Sequence, residues 1–213
     1  GVVFGFPMLS AIAMTTVPAS HGGVVLGALP LATAIMSVAF AGERPSLAFW
    51  GWALAGTCAV IAFALWDNGF TVHAGDALLV LAALSAGMGY AAGGHLSKTL
   101  GGWQVISWAL VLSLPVMLAL AFYWLPPSFS AVGRSAWIGL VYVSVFSMLI
   151  GFVFWYRGLA QGGIAAVGQL QLLQPFFGLA IAALMLGEPV SGAMLAVTVA
   201  VILCVAGARR FSR

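Results

Sequence analysis

The sequence predicts an all-α polytopic membrane protein with about eight transmembrane helices arranged as an inverted repeat. Three observations predict it. Of 213 residues, 63% are hydrophobic and only 5% charged, whereas soluble domains carry about 25% charged residues. Turn-forming residues and nearly all the charges fall at intervals that leave apolar runs of membrane-spanning length. One helix-and-turn pattern occurs twice, in positions that reverse its direction across a bilayer.

A helix needs about 20 apolar residues to cross roughly 30 Å of hydrocarbon. The runs lie near 1–16, 22–41, 47–66, 76–96, 103–125, 135–157, 164–186 and 191–208. The first run starts without a charged segment ahead of it, so it reads as the inside of a helix in a longer chain, not as a signal peptide. The breaks contain Gly, Pro and Ser: "VPASHG", "GERPS", "DNGFTVHAGD", "SKTLGG", "PPSFSAVGR", "GLAQGG" and "GEPVS". Such residues favour turns, and short connections imply antiparallel neighbours in one bundle. Cys58 and Cys204 sit inside apolar runs and read as small core side chains.

Lys and Arg orient the bundle. Arg44, Lys98, Arg157 and the tail Arg209, Arg210 and Arg213 follow even-numbered runs, and only Arg134 follows an odd one. The even-side loops and the C-terminus are therefore expected in the cytoplasm. The net charge of +3 suits lipid headgroups, not a nucleic-acid surface. Trp50, Trp52, Trp66, Trp103, Trp124, Trp137 and Trp155 fall near run ends, where amphipathic rings prefer the interface.

The repeat aligns "LPLATAIMSVAFAGERPS" with "QPFFGLAIAALMLGEPVS". Pro30 matches Pro175, Gly42 matches Gly187, Glu43 matches Glu188 and Ser46 matches Ser191, at one constant offset. Five runs separate the copies, so they cross in opposite directions. Inverted repeats with Pro- and Gly-interrupted helices point to a secondary transporter whose site lies between the halves.

The stretch "GQLQLLQP" (168–175) concentrates three amides in an apolar run. On an α-helix Gln171, Gln174, Pro175 and Gly178 share a face, with Gln169 nearly opposite. Pro175 has no N–H, so the Gln171 carbonyl is expected to be free and the helix kinked, as at Pro30. Unsatisfied polar groups cost several kcal/mol each in lipid. The expected result is a polar pocket lined by Gln171, Gln174, Thr33 and Ser37, with Tyr90, Trp155 and Tyr156 as further wall candidates. The plainer alternative is that these groups bond helices together, at about 0.6 kcal/mol each, or, for Thr33 and Ser37, bond their own backbone. Ser85, Gly89 and Gly93, and likewise Gly23 and Gly27, form small-residue stripes that let helices approach closely. Glu43 and Glu188 read as caps for the first turn of the helix that follows each.

"GERPS", Gly75-Asp76, "FWYRGLAQGG" and "QPFFGLAIAALMLGEPVS" resemble the EamA-type members of the drug/metabolite transporter superfamily. That resemblance implies ten helices in two inverted five-helix halves. Residues 1–66 would be the remainder of the first half, family helices 3–5. Residues 75–208 would be the second half, family helices 6–10, and 209–213 a cytoplasmic basic tail. It also implies export of small metabolites such as amino acids, in a bacterial inner membrane. Where many members carry an aromatic, this chain has Ser85 and Ala86, and Tyr90 remains.

The expected function is therefore a secondary transporter of small neutral or zwitterionic metabolites, or of amphipathic drug-like compounds, by alternating access. An intramembrane enzyme finds no support, since H-E-x-x-H, G-x-S-x-G and paired buried carboxylates are all absent from the sequence. A non-transporting membrane interaction protein, or an inert fragment, is the remaining alternative. Expected partners are a small-molecule substrate and the lipid bilayer. No cofactor, metal or nucleic acid is expected, and a homodimer stays open.

Overall fold

Each apolar run becomes helix in the computed structural model, which describes residues 1–17, 21–65, 74–125, 128–130, 132–186 and 192–212. The first five runs give α1 (Gly5–Ala13), α2 (His21–Ala41), α3 (Leu47–Leu65), α4 (Ala74–Leu100) and α5 (Gly102–Tyr123). The sixth gives α6 (Arg134–Tyr142), a π-helical segment (Val143–Gly151) and α7 (Phe152–Gly162) without interruption. The seventh breaks into α8 (Ile164–Gly168), a 3-10 segment (Gln169–Leu173) and α9 (Gln174–Leu186), and the eighth is α10 (Gly192–Arg210). Among the described residues four helices are long and apolar enough to cross a membrane: Leu47–Leu65, Ala74–Leu100, Gly102–Tyr123 and Arg134–Gly162.

Two breaks are shorter than the sequence suggests. In "SKTLGG" the chain stays helical to Leu100, because no breaker precedes Gly101. Lys98 therefore lies in the last turn of α4, where a cation offsets the carbonyl end of the helix. In "GLAQGG" α7 continues through Gly162, and the turn is made at Gly163, whose φ of 87° favours glycine.

α2 is the centre of the bundle and packs against α4, α3, α8 and the 3-10 segment; α10 covers α3, and α7 lies on α4 and α5. Small side chains allow this. Ala32, Ala34, Ala53, Ala82, Ala83, Ala86 and Ala91 are all buried. The predicted glycine stripe on α4 is used by two partners. Ser85 and Gly89 face the chain's first residues, with Ser85 Oγ donating to the Gly1 carbonyl at 3.3 Å. Gly93 lies against the Tyr156 ring, where any Cβ would collide with it. Gly27 faces Ile61 of α3.

The outer faces of α5 and of the helix 134–162 are apolar and bare. Leu112 is 72% exposed, Phe122 70% and Phe154 67%. Water does not tolerate a continuous apolar surface of this extent, whereas lipid does.

Candidate functional site

The second Pro-bearing helix is broken because of its own sequence. Pro175 cannot donate to the Gln171 carbonyl. That carbonyl is not left free, as the sequence suggests. The chain tightens into 3-10 geometry, and the Gln174 N–H takes the Gln171 carbonyl instead. Residues three apart eclipse one another in a 3-10 helix, so Gln171 and Gln174 project to one side. Pro30, its predicted counterpart, lies inside an unbroken α2.

Gln171 and Gln174 line a cavity of about 310 Å³ together with Tyr90 of α4, Ser147 of the π-helical segment and Phe152 and Trp155 of α7. The Tyr90 ring lies 5.7 Å from Trp155 and 6.0 Å from Phe152, centroid to centroid, so three rings form one wall. Gln171 Nε2 and Trp155 Nε1 are buried and have no hydrogen-bond partner among the described residues. A second cavity, about 520 Å³, adjoins the first through Tyr90, Ser147, Phe152 and Gln174. It extends to Phe6 and Ser10 of α1 and Leu29 of α2. The combined space thus lies between helices of the first, second and fourth runs and those of the sixth and seventh.

The other predicted residues have different surroundings. Thr33 and Ser37 are fully buried, and neither lines these two cavities. Their hydroxyls donate to the Leu29 and Ala34 carbonyls, at 2.9 and 2.8 Å. A short hydroxyl on a helix reaches its own previous turn, and that local bond satisfies it here. Tyr156 is 2% exposed and packs on Gly93, with its hydroxyl donating to the Gly89 carbonyl at 3.3 Å. Gln169 points away from the cavity, and its Nε2 donates to the Pro30 carbonyl at 3.3 Å. This bond ties the two Pro-bearing segments together.

Glu43 is a cap, but not of the helix that follows it. Its two carboxylate oxygens accept the N–H groups of Ile164 and Ala165 at 2.7 and 2.8 Å, so it closes α8. The following helix, α3, is capped by Ser46, whose Oγ accepts the Phe49 N–H at 3.3 Å. Gly42, at φ 65°, turns the chain so that Glu43 reaches α8. Glu188 and Trp66 lie outside the described residues.

Ser147, Gly151 and Phe152 were not distinguishable as wall residues in the sequence. Only the hydroxyl of Ser147, in the interior of an apolar run, gave a signal. Their common facing depends on the π-helical turn, which no local motif announces.

A bundle of apolar helices beside a cavity walled by rings and amides defines a polytopic helical membrane protein. The chain belongs to the EamA-like transporter family, whose model matches residues 73–209. It is 58% identical, over all its length and 74% of the other's, to a Bacillus subtilis (strain 168) protein named "Uncharacterized transporter YdeK". A solved structure described as "Crystal structure of protein" matches with a TM-score of 0.77 at 21% identity, covering 97% of this chain and 74% of that one. At that identity the likeness shows a shared fold.

Proposed function

We propose that this membrane transporter carries small neutral or zwitterionic metabolites, such as amino acids, or amphipathic compounds, through the cavity at Gln171 and Gln174. The observation that carries this reading is the chemistry of one wall. Three aromatic rings offer apolar contact, and two buried donors, Gln171 Nε2 and Trp155 Nε1, lack a protein partner beside them. A buried unsatisfied donor costs about 1–3 kcal/mol, and a solute with carbonyl or carboxylate oxygens would relieve that cost once the amide or the indole turns toward it.

Movement follows from the repeat. In an inverted five-plus-five bundle, residues 1–66 supply the remainder of the first half and 75–208 the second half, all eight runs span the membrane, and 209–213 lies in the cytoplasm. Rocking of one half against the other opens the cavity to each side in turn. Export is the direction favoured by the family.

The test is metabolite profiling, inside and outside cells, of the full-length protein against Gln171→Leu/Gln174→Leu at equal membrane abundance. The proposal expects specific compounds to shift with the wild type and not with the double variant. Equal shifts with both would move the binding site elsewhere.

A further inference from the structure

A different cavity, of about 480 Å³, lies where α4 ends, α5 begins and α7 passes. Its walls carry two cations, Lys98 and Arg157, together with Gln161, Gly101, Gly102 and Trp103, and no carboxylate among the described residues. The sequence explains the convergence. Val153, Arg157, Ala160 and Gln161 have the spacing of one helical face of α7. Gly102 lets α5 start directly against that face: a Cβ there would stand 2.6 Å from the Val153 carbonyl oxygen and 3.1 Å from the Arg157 backbone nitrogen. The opening of α5 is therefore held next to the root of the Arg157 side chain, and Lys98 is delivered by the last turn of α4.

Several of the polar groups here are donors. Gly101, at φ 89°, provides no side-chain cap for α5. The first backbone bond into this helix runs from the Val105 N–H to the Gly101 carbonyl, at 3.2 Å. The N–H groups of Gly102, Trp103 and Gln104 precede it, at the positive end of the helix dipole. Ser97 does not compete, because its hydroxyl donates to the Gly93 carbonyl at 2.6 Å. Trp103 is 61% exposed, as an indole is when it lies at headgroup level.

We infer that this cavity binds a phosphate group between Lys98, Arg157 and the start of α5. Its unprotonated oxygens only accept hydrogen bonds, matching a guanidinium fork, an ammonium and free helix N–H groups. The inference does not depend on the transport cavity. Two sources share this chemistry, the headgroup of an anionic phospholipid and free phosphate.

The test is native mass spectrometry of the purified full-length protein offered phosphatidylglycerol and acyl-matched phosphatidylcholine. The wild type should retain phosphatidylglycerol preferentially. Lys98→Gln and Arg157→Gln should each reduce that preference roughly fivefold, and Lys98→Arg should keep it. Arg44→Gln/Arg209→Gln, which removes cations outside the cavity, should leave it intact. Excess inorganic phosphate separates the sources. Lipid that stays bound identifies the headgroup as occupant, and lipid displaced from the wild type but not from Arg157→Gln identifies a soluble phosphate site. The inference fails if the wild type has no preference, or if the exposed single variant Lys98→Gln retains it. It also fails if the Arg44/Arg209 control loses as much, because binding is then diffuse surface charge.

Discussion

Glu43 joins parts of the chain that are 121 and 122 positions apart, through two short bonds to backbone N–H groups. Hydrogen bonds to a charged group contribute about 1.5–3 kcal/mol. Glu43→Ala leaves both donors without an acceptor and should destabilise the protein by about 1–3 kcal/mol, read as earlier thermal unfolding in detergent. Glu43→Gln retains one carbonyl oxygen and should lose roughly half as much. Gln169 and Gln171 are two residues apart and should behave differently. Gln169 faces α2 through one long bond, and its Oε1 is already unpaired. Gln169→Leu should therefore change stability by less than about 1 kcal/mol and leave transport intact. Gln171→Leu removes a buried unpaired donor, so it should hold or raise stability while abolishing transport. If Gln169→Leu abolishes transport as well, the assignment of one amide to packing and the other to the cavity is wrong.

At the scale of the element, the small-residue stripe on α4 can be tested by its tightest contact. Gly93 accommodates the Tyr156 ring, which is almost fully buried. Overfilling a packed site costs about 1–3 kcal/mol. Gly93→Ala should lower the monodisperse fraction on size-exclusion chromatography. Tyr156→Leu in the same chain should restore part of it, because contacting residues couple. Additive losses would mean that the ring and the glycine do not share the strain. The Gln169–Leu173 segment shows how one residue reshapes an element. Pro175 removes one donor, the helix tightens by one hydrogen-bond register, and two glutamines come to eclipse on one side.

For the whole molecule, the distribution of basic residues makes an orientation prediction. With Arg44, Lys98, Arg157 and the arginine tail on one side, a C-terminal green fluorescent protein fusion should fluoresce and a C-terminal alkaline phosphatase fusion should be inactive. The reverse pattern would overturn the orientation, and with it the expectation that the Lys98–Arg157 cavity lies on the cytoplasmic side. The bare apolar faces of α5 and residues 134–162 should also make the protein depend on detergent or lipid for solubility. Detergent removal should precipitate it, whatever is substituted inside the cavity.

The helical class, the apolar runs and the Gln171–Gln174 pairing could be read from the sequence because they depend on local properties. Hydropathy, turn chemistry and the missing N–H of a proline act within a few residues. The partner of Glu43, the burial of Tyr156 and the assembly of Ser147 and Phe152 with two glutamines could not be read in this way. Each depends on which distant helix lies alongside, at what distance and in what rotation. Glycines 93 and 102 and the π-helical turn set those distances and rotations only once the helices are packed. The sequence by itself determined a bundle of apolar helices with a polar break in one of them. The tertiary structure decided which of its few polar groups satisfy one another and which are left facing a cavity.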